Sequence, residues 1–261
     1  MSDLIRRALA VNRAMLGLGQ EVFEADGGVF VRNRALPSIY DANHVTGVSA
    51  ATPEQTERLL ARVEREFAGY EHRRFDLDCT TPPAFAARLA LDGYDRADFI
   101  VMLLDGALRV APAAQELQPI TDERGWAAYA VLKQLDWEEL AARLGMSGDA
   151  AVGTALASMH RMKSPPMQYW LAYGDGQPRG FCAAWEGLDG VGQVEDLFVH
   201  PDYRHRELAT TLIHQCVAVC RERGAGPVVI VADATDTPKQ MYAALGFRPV
   251  AVKHGYLRLM R

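Results

Sequence analysis

The stretch VEDLFVHPDYRHRELATT, residues 194–211, carries the pattern that decides the fold. Its apolar start predicts a strand, and Pro201 prevents simple continuation of a strand ladder because proline has no N–H to donate. After a loop rich in arginine and histidine, apolar residues recur at helical spacing from Leu208 to Cys220, and Gly224 is a suitable helix terminator. The stretch therefore predicts a strand, a loop and a helix in succession.

The sequence after this helix continues the alternation. Residues 227–232, PVVIVA, form a β-branched run of the kind expected in a strand buried on both faces. A turn then leads to a helix with Pro238 near its first position, where a missing N–H is harmless. That helix closes at Gly246, and FRPVAVKHGYLRLM predicts a final pair of strands around Gly255.

The sequence before residue 194 predicts two helices and a hairpin. Residues 122–144 and 150–162 have helical patterns, with Thr121 or Asp122 as N-cap. Residues 169–185, YWLAYGDGQPRGFCAAW, contain two apolar strands joined by a turn at 174–178. From residue 116 onward the predicted order is strand, two helices, three strands, helix, strand, helix and strands.

The N-terminal half contains a weaker copy of the same ending. A short strand at 74–78 is followed by Pro82, a helix that reaches Gly93, and the strand FIVMLL. This order matches the segment from Val229 to Gly246 and beyond, which indicates an internal repeat, although such units are common enough to recur by chance. The Pro/Ala/Gln-rich residues 110–118 are typical of a linker, so we predict domains at 1–115 and 116–261.

Composition excludes several classes of function. The 261 residues are 49% hydrophobic and 23% charged, with a formal net charge of −5, so nucleic acid is not an expected partner. Neither a signal peptide nor a membrane span is apparent, and we expect a cytoplasmic protein without a membrane partner. The four cysteines lack metal-ligand spacing, so we expect reduced structural thiols and no metal; a cysteine nucleophile is the alternative.

Two motifs resemble those of the GNAT family of N-acetyltransferases. Residues 204–209, RHRELA, match the family's R/Q-x-x-G-x-G/A loop at its first and last defined positions. Residues 242–247, YAALGF, match its later Y-x-x-x-G-F motif. The resemblance implies an α/β fold with a mixed, mostly antiparallel central sheet flanked by helices. It also implies acetyl-CoA as cosubstrate and, because the first half lacks the loop motif, a tandem protein whose degenerate N-terminal half binds no CoA.

The resemblance also assigns residues to the acetyl-CoA site. Backbone N–H groups at a helix N-terminus favour a pyrophosphate, and glycine normally lets it approach closely. Glu207 replaces that glycine, and the neighbouring basic residues could offset its charge. The residues implied are Leu197, Phe198 and Val199 for the pantetheine arm, Arg204, His205, Arg206, Glu207, Leu208, Ala209 and Thr210 for the pyrophosphate, and Lys239 for phosphate. An exposed, solvated lysine is the alternative for Lys239.

Two residues are candidates for proton transfer. By the resemblance, Tyr242 protonates the leaving thiolate after an amine attacks the thioester directly; amphipathic packing is the alternative. A base must also remove a proton from the alkylammonium. Glu195 and Asp196 are adjacent on a strand, so we expect them to face opposite sides of the sheet, with only one pointing into a given cleft. Residues 194–199 resemble the corresponding strand of polyamine acetyltransferases, whose first acidic residue lies near the substrate amine, and this resemblance favours Glu195 as base, directly or through water. The alternative is that both carboxylates cap a loop or pair with arginine. His254 could face the substrate, but a structural histidine is the preferred interpretation.

Other functions stay open at this point. A non-catalytic CoA-binding module would explain the altered loop, and the same scaffold could transfer another acyl group. The acceptor, a small-molecule or peptide amine, is not identified by the sequence. A homodimer is also left open.

Overall fold

The computed structural model describes residues 1–260, which contain seven α-helices and eleven strands. In chain order these are α1 (Asp3–Gly17), β1 (Glu21–Ala25), β2 (Gly28–Arg32), β3 (His44–Thr46), α2 (Pro53–Glu66), β4 (His72–Leu77), α3 (Pro83–Leu91), β5 (Asp95–Leu104), β6 (Glu116–Pro119), α4 (Glu123–Arg143), α5 (Ala150–Met162), β7 (Gln168–Gly174), β8 (Gln177–Leu188), β9 (Val191–Val199), α6 (Leu208–Glu222), β10 (Val228–Asp233), α7 (Pro238–Leu245) and β11 (Arg248–Leu259).

Contacts divide the chain into two compact units that do not follow chain order. The first contains residues 1–102, 231–239 and the chain from Pro249, and the second contains residues 103–230 and 240–248. The prediction of domains at residues 1–115 and 116–261 stays a prediction.

In the first unit, β3 and β4 are parallel, whereas the pairs β1–β2, β2–β3 and β4–β11 are antiparallel. Its core contains buried aromatic residues, with Phe75 edge-on to Phe85 and Tyr94. A buried ion pair joins Lys253 to Asp76 at 2.9 Å. His44 is 1% exposed, and within the described residues neither of its ring nitrogens has a hydrogen-bond partner.

In the second unit, β9 and β10 are parallel, and the pairs β6–β7, β7–β8 and β8–β9 are antiparallel. Helix α4 begins at an N-cap of Asp122, whose side chain accepts from the Gly125 N–H at 2.8 Å. Helix α6 buries its apolar side, including Leu212, Ile213 and Cys216. The expected α/β fold with mixed, mostly antiparallel strands and flanking helices is confirmed.

The structure corrects two details of the predicted element order. Residues 248–259 form one continuous strand, β11, so the predicted final pair of strands is wrong. Gly255 lies in that strand opposite Asp76 of β4, where an added Cβ would come within 3.2 Å of the Phe99 ring. Glycine here allows a close approach rather than a turn. In addition, Glu116, Leu117 and Gln118, predicted as part of the linker, begin strand β6.

Helices α3 and α7 end with the same cap. Gly93 and Gly246 both have positive φ, at 77° and 108°, and each donates to the carbonyl three residues before it. The following residue donates back across the turn, from Tyr94 to the Leu89 carbonyl and from Phe247 to the Tyr242 carbonyl. These paired bonds define a Schellman cap, in which an apolar contact closes the helix end. Leu89 and Tyr242 therefore occupy equivalent positions.

Side chains of α6 form hydrogen bonds with the main chain of the segment between β5 and β6. The Arg221 guanidinium donates to the Gly106 carbonyl, the His214 ring to the Val110 carbonyl, and the Thr211 hydroxyl to the Ala113 carbonyl. Because these three helix residues bind successive carbonyls, the segment runs antiparallel to α6. It is an ordered strap without regular secondary structure.

Candidate active site

Strand β9 carries a bulge at Asp196. Glu195 pairs with Ala183 of β8 and Phe198 pairs with Phe181, so two residues of β9 lie opposite Cys182 alone. Asp196 has a φ of 58°, in the left-handed region that residues other than glycine rarely adopt. The strand therefore contains one extra residue and a locally altered backbone.

The bulge places both acidic side chains on one face. Phe181 of β8 packs against Tyr129 of α4. Ala183 lies two residues farther along β8, so it faces the same side of the sheet. Glu195 is paired with Ala183 and therefore shares that face. Asp196 also contacts Tyr129, with its carboxylate accepting from the phenol at 2.5 Å. The expectation that the two adjacent carboxylates lie on opposite sides of the sheet is therefore wrong, because a regular two-residue alternation is interrupted at Asp196.

Asp196 is the centre of a buried polar cluster. Lys133 Nζ donates to Asp196 Oδ1 at 2.7 Å and to Asp136 Oδ2 at 2.8 Å. His160 Nδ1 lies 3.0 Å from Asp196 Oδ2 and also contacts the Tyr129 hydroxyl. The Lys133, Asp196 and His160 side chains are only 9%, 7% and 11% exposed, so these interactions form away from bulk water.

Burial and neighbouring charge set the protonation states in this cluster. Burial opposes ionisation of Asp196, but His160 and Lys133 outweigh it and hold its pKa well below the usual range. Burial alone would lower the pKa of Lys133, yet the two aspartates raise it. Burial lowers the pKa of His160 and raises that of Tyr129. We therefore treat Asp196 and Lys133 as charged and Tyr129 as neutral.

Glu195 differs from its neighbour. Its side chain accepts from Gln193 Nε2 at 2.8 Å, and Gln193 is fully buried. Glu195 itself is half-buried. Asp196, by contrast, is held by three donors and resists protonation, which makes it a poor proton acceptor. Of the two carboxylates, Glu195 is chemically the better candidate base.

The loop after β9 leads into the N-terminus of α6. His205 and Glu207 have φ values of 59° and 65°, so the loop turns sharply twice. Glu207 is the N-cap of α6, and its side chain makes no capping hydrogen bond. The first intrahelical bond runs from Thr211 N–H to the Glu207 carbonyl. The N–H groups of Leu208, Ala209 and Thr210 therefore precede the helix's own hydrogen-bond ladder.

The basic residues of this loop are partly engaged elsewhere. Arg204 pairs with Glu139 of α4 and donates through Nε to the Val199 carbonyl at 3.2 Å. The Arg206 guanidinium lies 4.7 Å from the centre of the Tyr203 ring. Because both arginines make these other contacts, they offset the charge of Glu207 only in part.

Tyr242 lies on α7, is 6% exposed, and packs against Phe247 with ring centroids 6.2 Å apart. On β9, Leu197 is half-buried, whereas Phe198 and Val199 are buried. Lys239, in the first unit, donates to the Asp236 carbonyl. His254, also in that unit, lies 2.9 Å from Asp98.

Three of the four cysteines, Cys182, Cys216 and Cys220, are buried, and Cys79 is exposed. Burial raises the pKa of the Cys216 thiol well above its ordinary value and that of Cys220 to about 12. A thiolate is the reactive form, so the Cys216 and Cys220 thiols are unreactive at neutral pH.

Sequence reasoning missed the partners of Asp196. Tyr129 and Lys133 are four residues apart on α4 and both are buried. A lysine one helical turn from a tyrosine on an apolar side is a signal for a buried charge, because lysine is almost never fully buried unless paired. The sequence offers no comparable signal for the contact with His160, which lies 31 residues from Tyr129.

The comparisons with known proteins agree with this geometry. Residues 121–247 match the sequence model of the Acetyltransferase (GNAT) family. This range contains the β9 bulge, the α6 N-terminus and Tyr242. Over these residues the chain is therefore similar to the GNAT family, which agrees with the resemblance noted from the sequence motifs.

Among curated sequences, a Bacillus subtilis protein provisionally named as a ribosomal protein bS18-alanine N-acetyltransferase is 26% identical over 96 residues, 36% of this chain. An uncharacterized N-acetyltransferase of Methanocaldococcus jannaschii is 28% identical over 107 residues, 38% of this chain. The matches cover 63% and 47% of those relatives, so the chain spans about half to two thirds of their length.

Solved structures resemble this chain over nearly its whole length. A GCN5-related N-acetyltransferase from Kribbella flavida has a TM-score of 0.67 at 17% identity, covering 96% of this chain and 94% of that chain. A tandem GNAT protein of the clavulanic acid pathway has a TM-score of 0.53 at 18% identity, covering 79% of this chain and 67% of that chain. At these identities the likeness shows the fold alone. Within the described residues, no helix is long and apolar enough to cross a membrane.

Proposed function

We propose that the second unit is an N-acetyltransferase that transfers the acetyl group of acetyl-CoA to an amine. The observation that carries the proposal is the N-terminus of α6, which follows β9 and has no side-chain cap. Backbone N–H groups and the helix dipole at such an end favour a pyrophosphate. Leu208, Ala209 and Thr210 would supply these donors, with Arg204, His205, Arg206 and Glu207 forming the loop around them.

The remaining binding residues follow from the same assignment. Main-chain groups of Leu197, Phe198 and Val199 on β9 would bind the pantetheine arm. Lys239 lies in the first unit, and its contact with a phosphate stays a prediction from the sequence.

Two side chains would move the protons. Glu195 would accept a proton from the acceptor ammonium, directly or through water, so that the amine nitrogen can attack the thioester carbon. As the carbon–sulfur bond breaks, Tyr242 would donate its phenolic proton to the departing thiolate. The attacking nitrogen would lose its second proton as the tetrahedral intermediate collapses, and that proton would restore the phenol of Tyr242, so the products are the amide, the CoA thiol and the one proton taken up by Glu195. Direct attack of this kind requires no metal ion.

The first unit would bind no acetyl-CoA. Its helix α2 follows β3 as α6 follows β9, but Thr52 accepts from the Gln55 N–H and the Gln55 side chain accepts from the Thr52 N–H. This capping box uses donors that a phosphate would need. Leu89 occupies the position equivalent to Tyr242 and has no hydroxyl. Titration calorimetry should therefore give one acetyl-CoA site per chain, and two sites of similar affinity would contradict this part of the proposal.

An assay of thiol release from acetyl-CoA with a panel of amines tests the activity. Because one relative is named for an alanine of a ribosomal protein, the panel should include peptides with an N-terminal alanine beside small amines. We expect amine-dependent thiol release by the wild type. Tight binding of CoA without turnover on any amine would favour a non-catalytic module, and faster turnover of a longer acyl-CoA would favour a different acyl donor.

A further inference from the structure

The bulge in β9 depends on a residue that does not favour its conformation. Asp196 holds a φ of 58° in the middle of a strand; aspartate adopts this left-handed region more readily than most residues with a Cβ but less readily than glycine. Such conformations persist only when the surroundings fix them. The contacts of the Asp196 side chain must therefore compensate for the backbone.

Those contacts come from two helices. Lys133 and Tyr129 of α4 bind different carboxylate oxygens of Asp196, at 2.7 Å and 2.5 Å, and His160 of α5 lies 3.0 Å from the second oxygen. Tyr129 also contacts His160, so the three partners form a connected group. A side chain held from several directions leaves its backbone few alternative positions.

We propose that Lys133, Tyr129 and His160 are positioning residues that act through Asp196 to hold the β9 bulge, and thereby the main chain of residues 197–199, in the conformation that binds acetyl-CoA. This inference rests on the proposed function, which assigns residues 197–199 to the pantetheine arm. Leu197 is the second residue of the bulge, and its backbone direction follows from that of Asp196.

An ordinary stabilising role does not explain the cluster as well. Replacing a buried ion pair by apolar residues of similar size is often neutral or stabilising, so a buried pair is weak evidence for stability. A direct proton-transfer role fits poorly too, because both oxygens of Asp196 are occupied and its ionised form is strongly favoured. Control of backbone geometry explains both observations, the disfavoured φ of Asp196 and the buried contacts of its side chain.

Two matched double variants separate geometry from charge. Lys133→Met with Asp196→Gly removes the ion pair but leaves a residue that adopts positive φ freely. Lys133→Met with Asp196→Ala removes the same pair and leaves a residue that disfavours this φ. If the network serves to hold the backbone, the glycine variant needs no network, whereas the alanine variant relaxes away from the bulge.

Calorimetric titration with acetyl-CoA gives the first readout. We expect the glycine variant to bind within about threefold of the wild type. The alanine variant should bind about 5- to 30-fold more weakly, the factor that corresponds to the usual disadvantage of a left-handed residue. Both must show a cooperative thermal transition. Equal dissociation constants for the two variants, or an equal loss in both, would overturn the inference.

A second readout does not need the ligand. Amide hydrogen exchange of a peptide covering residues 194–199 should match the wild type in the glycine variant and differ in the alanine variant. Should the wild type fail to bind acetyl-CoA, the proposed function fails, and identical exchange in both variants would overturn the structural inference separately. If the double variants do not fold, Tyr129→Phe removes one donor to Asp196 and should increase exchange in this peptide; unchanged exchange would contradict the proposal.

Discussion

Glu207 is the residue whose replacement should most improve acetyl-CoA binding. It is exposed at the N-cap of α6 with a φ of 65°, at the position where the family's loop has glycine. A left-handed backbone costs about 1–2 kcal/mol for a residue with a Cβ, and glycine avoids this but loses about 0.5–1 kcal/mol in chain entropy. Glu207→Gly should therefore stabilise the fold by about 0.5–1 kcal/mol, which raises the melting temperature by about 1–4 °C.

Two variants separate the effect of the Glu207 charge on acetyl-CoA binding from the effects of its side-chain bulk and backbone strain. Glu207→Gln keeps the side-chain bulk and the backbone strain but removes the negative charge next to the α6 N–H groups. Glu207→Gly removes all three. We expect the dissociation constant for acetyl-CoA, measured by calorimetry, to fall in the order wild type, Gln variant, Gly variant. The difference between wild type and the Gln variant should shrink at high salt, because exposed charges are screened.

The result that would refute this reasoning is specific. If both variants bind acetyl-CoA with the wild-type dissociation constant, the loop at Glu207 does not lie next to the phosphates. If only the Gly variant binds more tightly, close backbone approach matters and the charge does not. A lower melting temperature for Glu207→Gly would show that the left-handed N-cap is not strained.

Three further variants test the remaining assignments. Tyr242→Phe keeps the ring that packs on Phe247 and should lower turnover at least about 100-fold with little change in the Michaelis constant for acetyl-CoA, so unchanged turnover at saturating amine would rule out the general acid. Glu195→Gln should lower turnover and move its rise to higher pH, where more amine is already deprotonated; wild-type turnover at neutral pH would remove Glu195 from this role. Burial lowers the pKa of His44 from 6.5 to about 4, so as pH falls below 6.5 only the unfolded chain takes up this proton, and stability should drop by about 2 kcal/mol by pH 5. Burial also lowers the pKa values of His72 and His160, so both proteins should lose stability between pH 7 and pH 5, and urea unfolding should show a loss about 2 kcal/mol larger in the wild type than in His44→Leu. Equal losses in both would contradict the assignment to His44.

Local signals predicted most elements of the second unit. Asp122 caps α4 through its side chain and Gly246 ends α7 through its backbone, and each lies where the sequence placed it. In the first unit, Pro238 begins α7 as expected. Gly255 misled the prediction, because a glycine that permits a turn also permits a close approach inside a strand. Only its pairing with Asp76, far away in the sequence, decides between the two.

The candidate site was predictable where it depends on chain order. The loop and helix after β9, and the tyrosine before Gly246, follow from motifs. The geometry at Asp196 does not, because its backbone conformation is imposed by side chains 63 and 67 residues away on α4. A periodicity argument assumes a regular strand, and it fails at the one residue where distant contacts outweigh local preference.

The strap along α6 changes how the chain should be divided for experiments. Residues 106, 110 and 113 lack helix and strand, and by composition they mark a natural place to cut. A fragment that begins at residue 116 would nevertheless remove the carbonyl acceptors of Arg221 and His214 and one of the two acceptors of Thr211, whose hydroxyl also donates to the Glu207 carbonyl. The strap therefore contacts α6 from its last turn to its first, next to the proposed phosphate site. Truncation at the linker would thus disturb the second unit while appearing to isolate it.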